Sequence, residues 1–214
     1  MTRRLLAVLT VLAALGFAVT ACSSGSGGAG GSATQSGLND HTAGTYQGFG
    51  LTPPQPRPAF TLTDTAGQPF SFATATQGKP TFLYFGYTHC PDVCPTTMAD
   101  VGQALTSVPA ALRAQTEVVF VTTDVKRDTG PAIASWLDSF DRSLPNKFIG
   151  LTGSQAEVDA AQAAAHVTLA QDDGQTHSAQ VLLYGADDYA RVSYAQSDNE
   201  ADAMAHDLPL VVKK

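Results

Sequence analysis

Charge is scarce in this chain: only 14% of its 214 residues are Asp, Glu, Lys or Arg, and Lys plus Arg number 12 against 19 acidic residues. The resulting net charge of -7 at pH 7 makes the chain a poor binder of phosphate backbones, so no nucleic-acid partner is expected. Cysteine is scarcer still, with three in the whole chain, so at most a single disulfide can form within it. Long apolar runs are confined to the first segment, no internal repeat is visible, and no proline lies between Pro145 and Pro209. Against these shortages stand 43% hydrophobic residues, enough to bury one ordinary core, and one folded domain is the expectation.

Arg3 and Arg4 precede an apolar run from Leu5 to Val19, the charged head and short hydrophobic stretch of an export signal; a spanning helix would want more residues. Val19-Thr20-Ala21-Cys22 places small residues before a cysteine and resembles the lipobox of bacterial lipoproteins. That resemblance implies a signal peptide over 1–21 and a lipidated Cys22 at the mature N-terminus. Several acyl chains make a stable anchor where one holds only marginally, so the chain is expected at the outer face of the cytoplasmic membrane. From Ser23 to Gly37 the sequence is nearly all Gly, Ser, Ala and Thr, which buries too little apolar surface to offset ordering entropy. Residues 22–45 therefore read as a flexible tether. Pro53, Pro54, Pro56 and Pro58 stiffen the approach, and the folded domain is placed at 46–214.

Within that domain Phe60 and Leu62, then Phe70 and Phe72, alternate about Ala66-Gly67-Gln68 as a hairpin would. Thr81 to Tyr87 reads as a buried central strand. After Pro95, the spacing of Met98, Val101, Leu105 and Val108 predicts a helix, and Val118 to Thr122 a second strand leading to a loop with Asp124 and Asp128. Ile133, Trp136, Leu137 and Phe140 define another amphipathic helix. Phe148 to Leu151 reads as a strand, and Ser154 with Glu157 has capping-box spacing at the head of a helix reaching Ala165. Val181 to Leu183 and Val192 to Tyr194 pair about the turn Gly185 to Asp188, and Ser197 with Glu200 repeats the capping spacing before a last helix. Strands alternating with helices, then a hairpin and a helix, define an α/β thioredoxin-like sandwich: a central mixed β-sheet flanked by helices, with an N-terminal β-hairpin.

With Cys22 set aside, the chemistry rests on Cys90-Pro91-Asp92-Val93-Cys94, two sulfurs at the mouth of a helix whose free N–H groups and dipole lower thiol pKa values. Thiolate binds soft metal and also attacks disulfides, so the pair alone leaves a metal site and a redox enzyme both open. A structural staple is the weaker reading, because so small a ring is worth only about 2 kcal/mol. His177, between Thr176 and Ser178, would on its residues alone be a solvent-exposed loop histidine. His89 adjoins Cys90, but neighbouring side chains at a strand end point apart. His41 lies in the tether, and His166 and His206 read as unpartnered surface positions on helices.

Gly86-Tyr87-Thr88-His89-Cys90-Pro91-Asp92-Val93-Cys94-Pro95 resembles the signature of the Sco/SenC family of copper chaperones. Asp124 to Thr129, Phe148 to Ser154 and His177-Ser178 before a strand are similar to further family segments, in family order, from about residue 58 to 196. The resemblance implies copper, Cu(I) or Cu(II), held by Cys90, Cys94 and His177. It associates Asp124 with the site without making it a ligand; from their thiol chemistry Cys90 and Cys94 are also expected to form a redox-active disulfide. It further implies delivery of copper to the dinuclear CuA centre of cytochrome c oxidase subunit II, with a copper donor or a thiol reductase as a further partner. Val125, where the family commonly has proline, and Tyr184-Gly185, in place of a more usual Ile-Asp, depart from the pattern without touching a ligand position. Two thiolates and an imidazole suit Cu(I) and can also hold Cu(II).

The alternative is a thioredoxin-like thiol-disulfide oxidoreductase that reduces the cysteines of the copper acceptor. Ordinary thioredoxin-like enzymes have two residues between the cysteines and a cis-proline before the facing strand, whereas here three residues intervene and His177 occupies that stretch. A thiol peroxidase would want an arginine or threonine placed beside one activated cysteine, and nothing motivates Thr88 or Arg191 for that role.

Overall fold

The computed structural model describes residues 45–212; the expected signal peptide, Cys22, His41 and almost all of the expected tether lie outside the described residues. In chain order the elements are β1 (Phe49–Pro56), β2 (Thr61–Asp64), β3 (Pro69–Ser71), α1 (Phe72–Ala75), β4 (Thr81–Gly86), α2 (Val93–Ser107), α3 (Ala110–Gln115), β5 (Glu117–Thr122), α4 (Gly130–Asp141), β6 (Ile149–Thr152), α5 (Gln155–Ala164), β7 (Val181–Tyr184), β8 (Tyr189–Tyr194) and α6 (Glu200–Val212). The strands form one mixed sheet in the order β1-β8-β7-β4-β5-β6-β2-β3. β4 runs parallel to β5 and antiparallel to β7, which places the C-terminal end of β4 beside the entry to β7. That juxtaposition makes the site.

The sheet is covered on both faces, so its central strands β4 and β5 carry consecutive apolar residues, Phe82 to Phe85 and Val118 to Val121, rather than alternate ones. Phe82 and Tyr84 of β4, with Val118 and Phe120 of β5, pack with Met98 and Leu105 of α2, Ile133 and Leu137 of α4, and Met204 and Leu208 of α6. The intervening Leu83, Phe85, Val119 and Val121 face the opposite layer, with Phe72 of α1 and Val158 and Ala161 of α5. This alternation is the period of two expected of a strand, and burying each large side chain is worth about 2 kcal/mol relative to exposure. The sandwich read from the sequence is the fold observed.

Local signals explain most boundaries. Gly67 supplies a positive φ of 80° in the β2–β3 turn, where glycine meets no Cβ penalty. Ser154 and Glu157 cap α5 reciprocally, Ser154 N donating to Glu157 Oε2 at 2.8 Å and Glu157 N to Ser154 Oγ at 3.3 Å. α2 begins at Val93, ahead of Pro95, because a proline in the first turn lacks only an N–H that would have no intrahelical partner.

Four details differ from the sequence reading. The proline-rich approach is a strand: β1 pairs antiparallel with β8 at Phe49, Gly50, Gln55 and Pro56, with an irregularity between Gly50 and Gln55, as an edge strand tolerates. Phe72 opens the short helix α1 instead of extending the hairpin. α3 was not anticipated. Of the two helix histidines, His166 lies beyond α5 with φ 54°, and His206 is partnered, its Nδ1 2.7 Å from Asp207 Oδ1. Among the described residues no helix is long and apolar enough to cross a membrane.

Candidate metal centre

β4 ends at Gly86, and the chain turns through Tyr87 to His89, with Cys90 N donating to Tyr87 O at 3.3 Å. Asp92 occupies the N-cap of α2, yet its side chain makes no cap bond. The Cys90 sulfur takes that place, accepting from Cys94 N at 3.4 Å, so a helix N–H left without a partner is directed at sulfur. Burial acts to raise the Cys90 pKa, but the backbone N–H groups of Cys94 and Asp92, helped by the Cys94 and Tyr87 side chains, outweigh it and hold the thiol below its ordinary value.

Cys94, one residue into the first turn of α2, is fully buried. Burial pushes its thiol up to about 12, against the lowering effect of hydrogen bonds from the Tyr84 hydroxyl and the Tyr87 backbone; Tyr84 Oη donates to Cys94 Sγ at 3.4 Å. Gly86 is glycine for a local reason, since a Cβ there would stand 2.8 Å from the Tyr84 ring and 3.0 Å from Cys94 Sγ. The two sulfurs are therefore unlike: Cys90 is half-buried and activated, Cys94 buried and protonated.

His177 arrives from the long segment between α5 and β7. Its Nδ1 lies 2.9 Å from the Ser178 carbonyl, which can only accept, so Nδ1 carries the proton and Nε2 presents a lone pair. Nε2 is 3.3 Å from Cys94 Sγ, and the protonated thiol donates to it. Burial lowers the His177 pKa, opposed by the Ser178 and Phe85 backbone, which keeps the imidazole neutral as metal ligation requires. The rings of Tyr84 and Tyr87 meet it edge-on, with centroids at 6.1 and 5.5 Å. One donor atom from each of Cys90, Cys94 and His177 lies within 4.8 Å of the others.

The remaining expected residues stand further out. Asp124 is buried and accepts from the Arg127 guanidinium, whose carbon sits 5.9 Å over the Tyr87 ring, so it reaches the trio through Arg127 and Tyr87. Asp128, overlooked in favour of Asp124, is closer to the cysteine turn. Its carboxylate accepts from Thr88 N at 2.8 Å, Thr88 Oγ1 at 2.6 Å and Thr122 Oγ1 at 2.6 Å. His89 turns away from the sulfurs to the same carboxylate, at 3.2 Å. Tyr84 and Tyr87 were read only as strand residues, and nothing in their spacing distinguishes a ring that lines a site from one that fills a core. Arg191 pairs with Asp187, and Thr88 with Asp128, so neither activates a thiol.

A thioredoxin-like sandwich with two unequal thiols at a helix mouth and an imidazole facing them defines the class. Within it the chain belongs to the SCO1/SenC family, whose model matches residues 51–213. It is 30% identical over 161 residues to a candidate copper-binding protein of Stutzerimonas stutzeri, covering 72% of this chain and 76% of that one. Copper-bound ScoI of Bradyrhizobium japonicum is 29% identical with a TM-score of 0.60, covering 74% of this chain and 99% of that one. The apo Sco1 protein of Thermus thermophilus is 28% identical with a TM-score of 0.66, covering 78% and 98%. The chain spans about a third of the length of the human, yeast and mouse mitochondrial Sco relatives it matches.

Proposed function

We propose that this chain is a copper metallochaperone that binds copper through Cys90, Cys94 and His177 and delivers it to the CuA centre of cytochrome c oxidase subunit II. The observation that carries the reading is the convergence of two sulfurs and an imidazole nitrogen within 4.8 Å, with the imidazole already in the tautomer that leaves Nε2 unprotonated and turned to Cys94. A ligating histidine commonly donates its other N–H to a carbonyl, as His177 does to Ser178. Two thiolates leave Cu(I) with a single net negative charge and Cu(II) with none, so both states are bearable in the same pocket. Half-buried Cys90 gives an acceptor's thiolate a path to the metal, and ligand exchange can begin there. The name of the Sco family links it to cytochrome c oxidase assembly, which is the support for the acceptor. The test is transfer: copper-loaded protein mixed with the metal-free soluble domain of subunit II should generate the CuA spectrum, and failure to transfer from a fully loaded donor would reject the delivery step.

The same reading takes residues 1–21 as an export signal, Cys22 as the lipidated anchor, 22–45 as the tether and 46–214 as the copper domain, held at the outer face of the cytoplasmic membrane. A second reading draws on the inequality of the thiols. The Cys90 thiolate would attack an acceptor disulfide, forming a mixed disulfide and releasing one acceptor thiolate. Cys94 would then attack the Cys90 sulfur, freeing the second acceptor thiol and leaving Cys90–Cys94 oxidised, with two electrons passed to the acceptor. An external thiol reductant would restore the pair.

A further inference from the structure

The segment that delivers His177 contains no strand and no α-helix between α5 and β7, yet it must hold an imidazole against Cys94. Its base is fixed by Gln162, whose Nε2 donates to Thr168 O at 3.1 Å and whose Oε1 accepts from Ala170 N at 3.3 Å. The bend beyond is tied differently. Asp172, Asp173 and Gly174 are successive left-handed residues with φ of 52°, 56° and 90°, closed by a bridge between Gln171 and Thr176.

Thr123 follows the end of β5. Its N donates to Gly86 O at 2.7 Å, and its hydroxyl lies 2.7 Å from Gly174 O and 3.2 Å from Gly86 O. Gly86 is also the residue over which Cys94 Sγ sits. A Cβ on Gly174 would stand 1.9 Å from Thr123 O and 2.8 Å from Asp124 N. Those are backbone atoms and cannot swing aside. Gly174 is thus required twice, by its φ and by this contact. The ion pair of Lys126 with Asp173 spans the same gap at 2.6 Å, but both side chains are exposed and such pairs add little.

We propose that Thr123 and Gly174 form a clasp that holds the His177 segment on the C-terminal ends of β5 and β4, where the cysteine turn begins, making them positioning residues for the imidazole. The inference rests on the copper site proposed above. Its consequence is selective: two thiolates alone can hold Cu(I), whereas Cu(II) prefers a further nitrogen donor, so opening the clasp weakens Cu(II) binding and largely spares Cu(I).

The experiment compares Thr123→Val, which keeps the branched shape and removes the donor, with Thr123→Ser, which restores it, in the reduced full-length protein; Gly174→Ala is a harsher companion. In the metal-free state Thr123→Val should speed amide exchange across 171–178 about tenfold while the amides of β4 are unchanged. The His177 ring resonances, displaced by Tyr84 and Tyr87, should move toward those of a free imidazole. Competition titration should show Cu(II) affinity at least ~10-fold weaker and Cu(I) affinity changed less than ~3-fold, with Thr123→Ser close to the parent. Unchanged exchange and unchanged His177 resonances in Thr123→Val would overturn the clasp. Faster exchange with undiminished Cu(II) affinity would overturn its positioning role. A parent protein that takes up no copper would fail the functional reading separately, while the exchange and resonance arms still decide the clasp.

Discussion

His177 Nε2 lies 3.3 Å from Cys94 Sγ while its Nδ1 is held 2.9 Å from the Ser178 carbonyl, so the ring is oriented before any metal arrives. A dithiol reductase would use this imidazole only as a base for the Cys94 thiol, whereas a metal site uses it as a ligand. His177→Ala is expected to leave both thiols titratable and able to form a disulfide, yet to weaken copper binding by at least ~1.4 kcal/mol, a factor of ten, with Cu(II) suffering more than Cu(I). Competition titrations in each oxidation state, beside a dithiol reductase assay on the same variant, check this. Unchanged copper affinities with lost reductase activity would make the enzyme reading the better one.

Asp128 is buried and its carboxylate gathers the Thr88 and Thr122 hydroxyls and the Thr88 amide. Asp128→Ala strands the buried Thr122 hydroxyl and two part-buried Thr88 donors and is expected to cost about 2 kcal/mol of stability, while Asp128→Asn, which keeps one accepting oxygen, should cost about half of that. Denaturant midpoints at constant m-value measure both. Losses below about 0.5 kcal/mol in the alanine variant would show that the cysteine turn does not depend on this carboxylate.

Glu200 gives a pH dependence away from the site. One oxygen accepts from Ser197 N at 3.2 Å and the other is buried without a partner. Burial raises its pKa from 4.5 to about 7, opposed by the Ser197 backbone and reinforced by Asp100 of α2; Tyr194 of β8, beside Asp207, also feels its charge. The folded state therefore holds the proton more tightly than the unfolded chain, so this contribution to stability is present below pH 4.5 and is lost as pH rises through about 7. Glu200→Gln should leave stability near pH 4.5 unchanged and raise it at pH 8 by about 2 kcal/mol. Thermal unfolding of both proteins across that range is the check, and a variant whose advantage does not grow with pH would contradict the assignment.

Cys22→Ala should block lipoprotein processing and leave the export signal uncleaved or miscleaved. Mass spectrometry of the membrane fraction reads the outcome directly. An unmodified mature parent chain beginning elsewhere would remove the lipid anchor from the account.

The parts of the fold that were legible are those set by local spacing: the buried run of β4, the helical repeat of Met98, Val101 and Leu105, and the Ser154–Glu157 capping box. β1 was not legible because its prolines imitate a stiff linker, and only its distant partner β8 reveals it as an edge strand. In the site, Cys90 and Cys94 announce themselves by being four positions apart. His177 is separated from Cys94 by 83 positions, and residue chemistry alone made it an ordinary loop histidine; it was found through family resemblance. Thr123, Gly174 and Asp128 act through long-range backbone and hydroxyl contacts, which leave no periodic trace in a sequence.

Copper stoichiometry on the purified protein, beside Cys90→Ser and Cys94→Ser, tests the central claim most directly. The small Cys90–Cys94 ring is no needed staple, so both variants should fold cooperatively. The parent should bind one tight copper per chain, and both variants should lose it together with the thiolate-to-Cu(II) charge-transfer colour. One tight copper retained by both single variants would contradict the site.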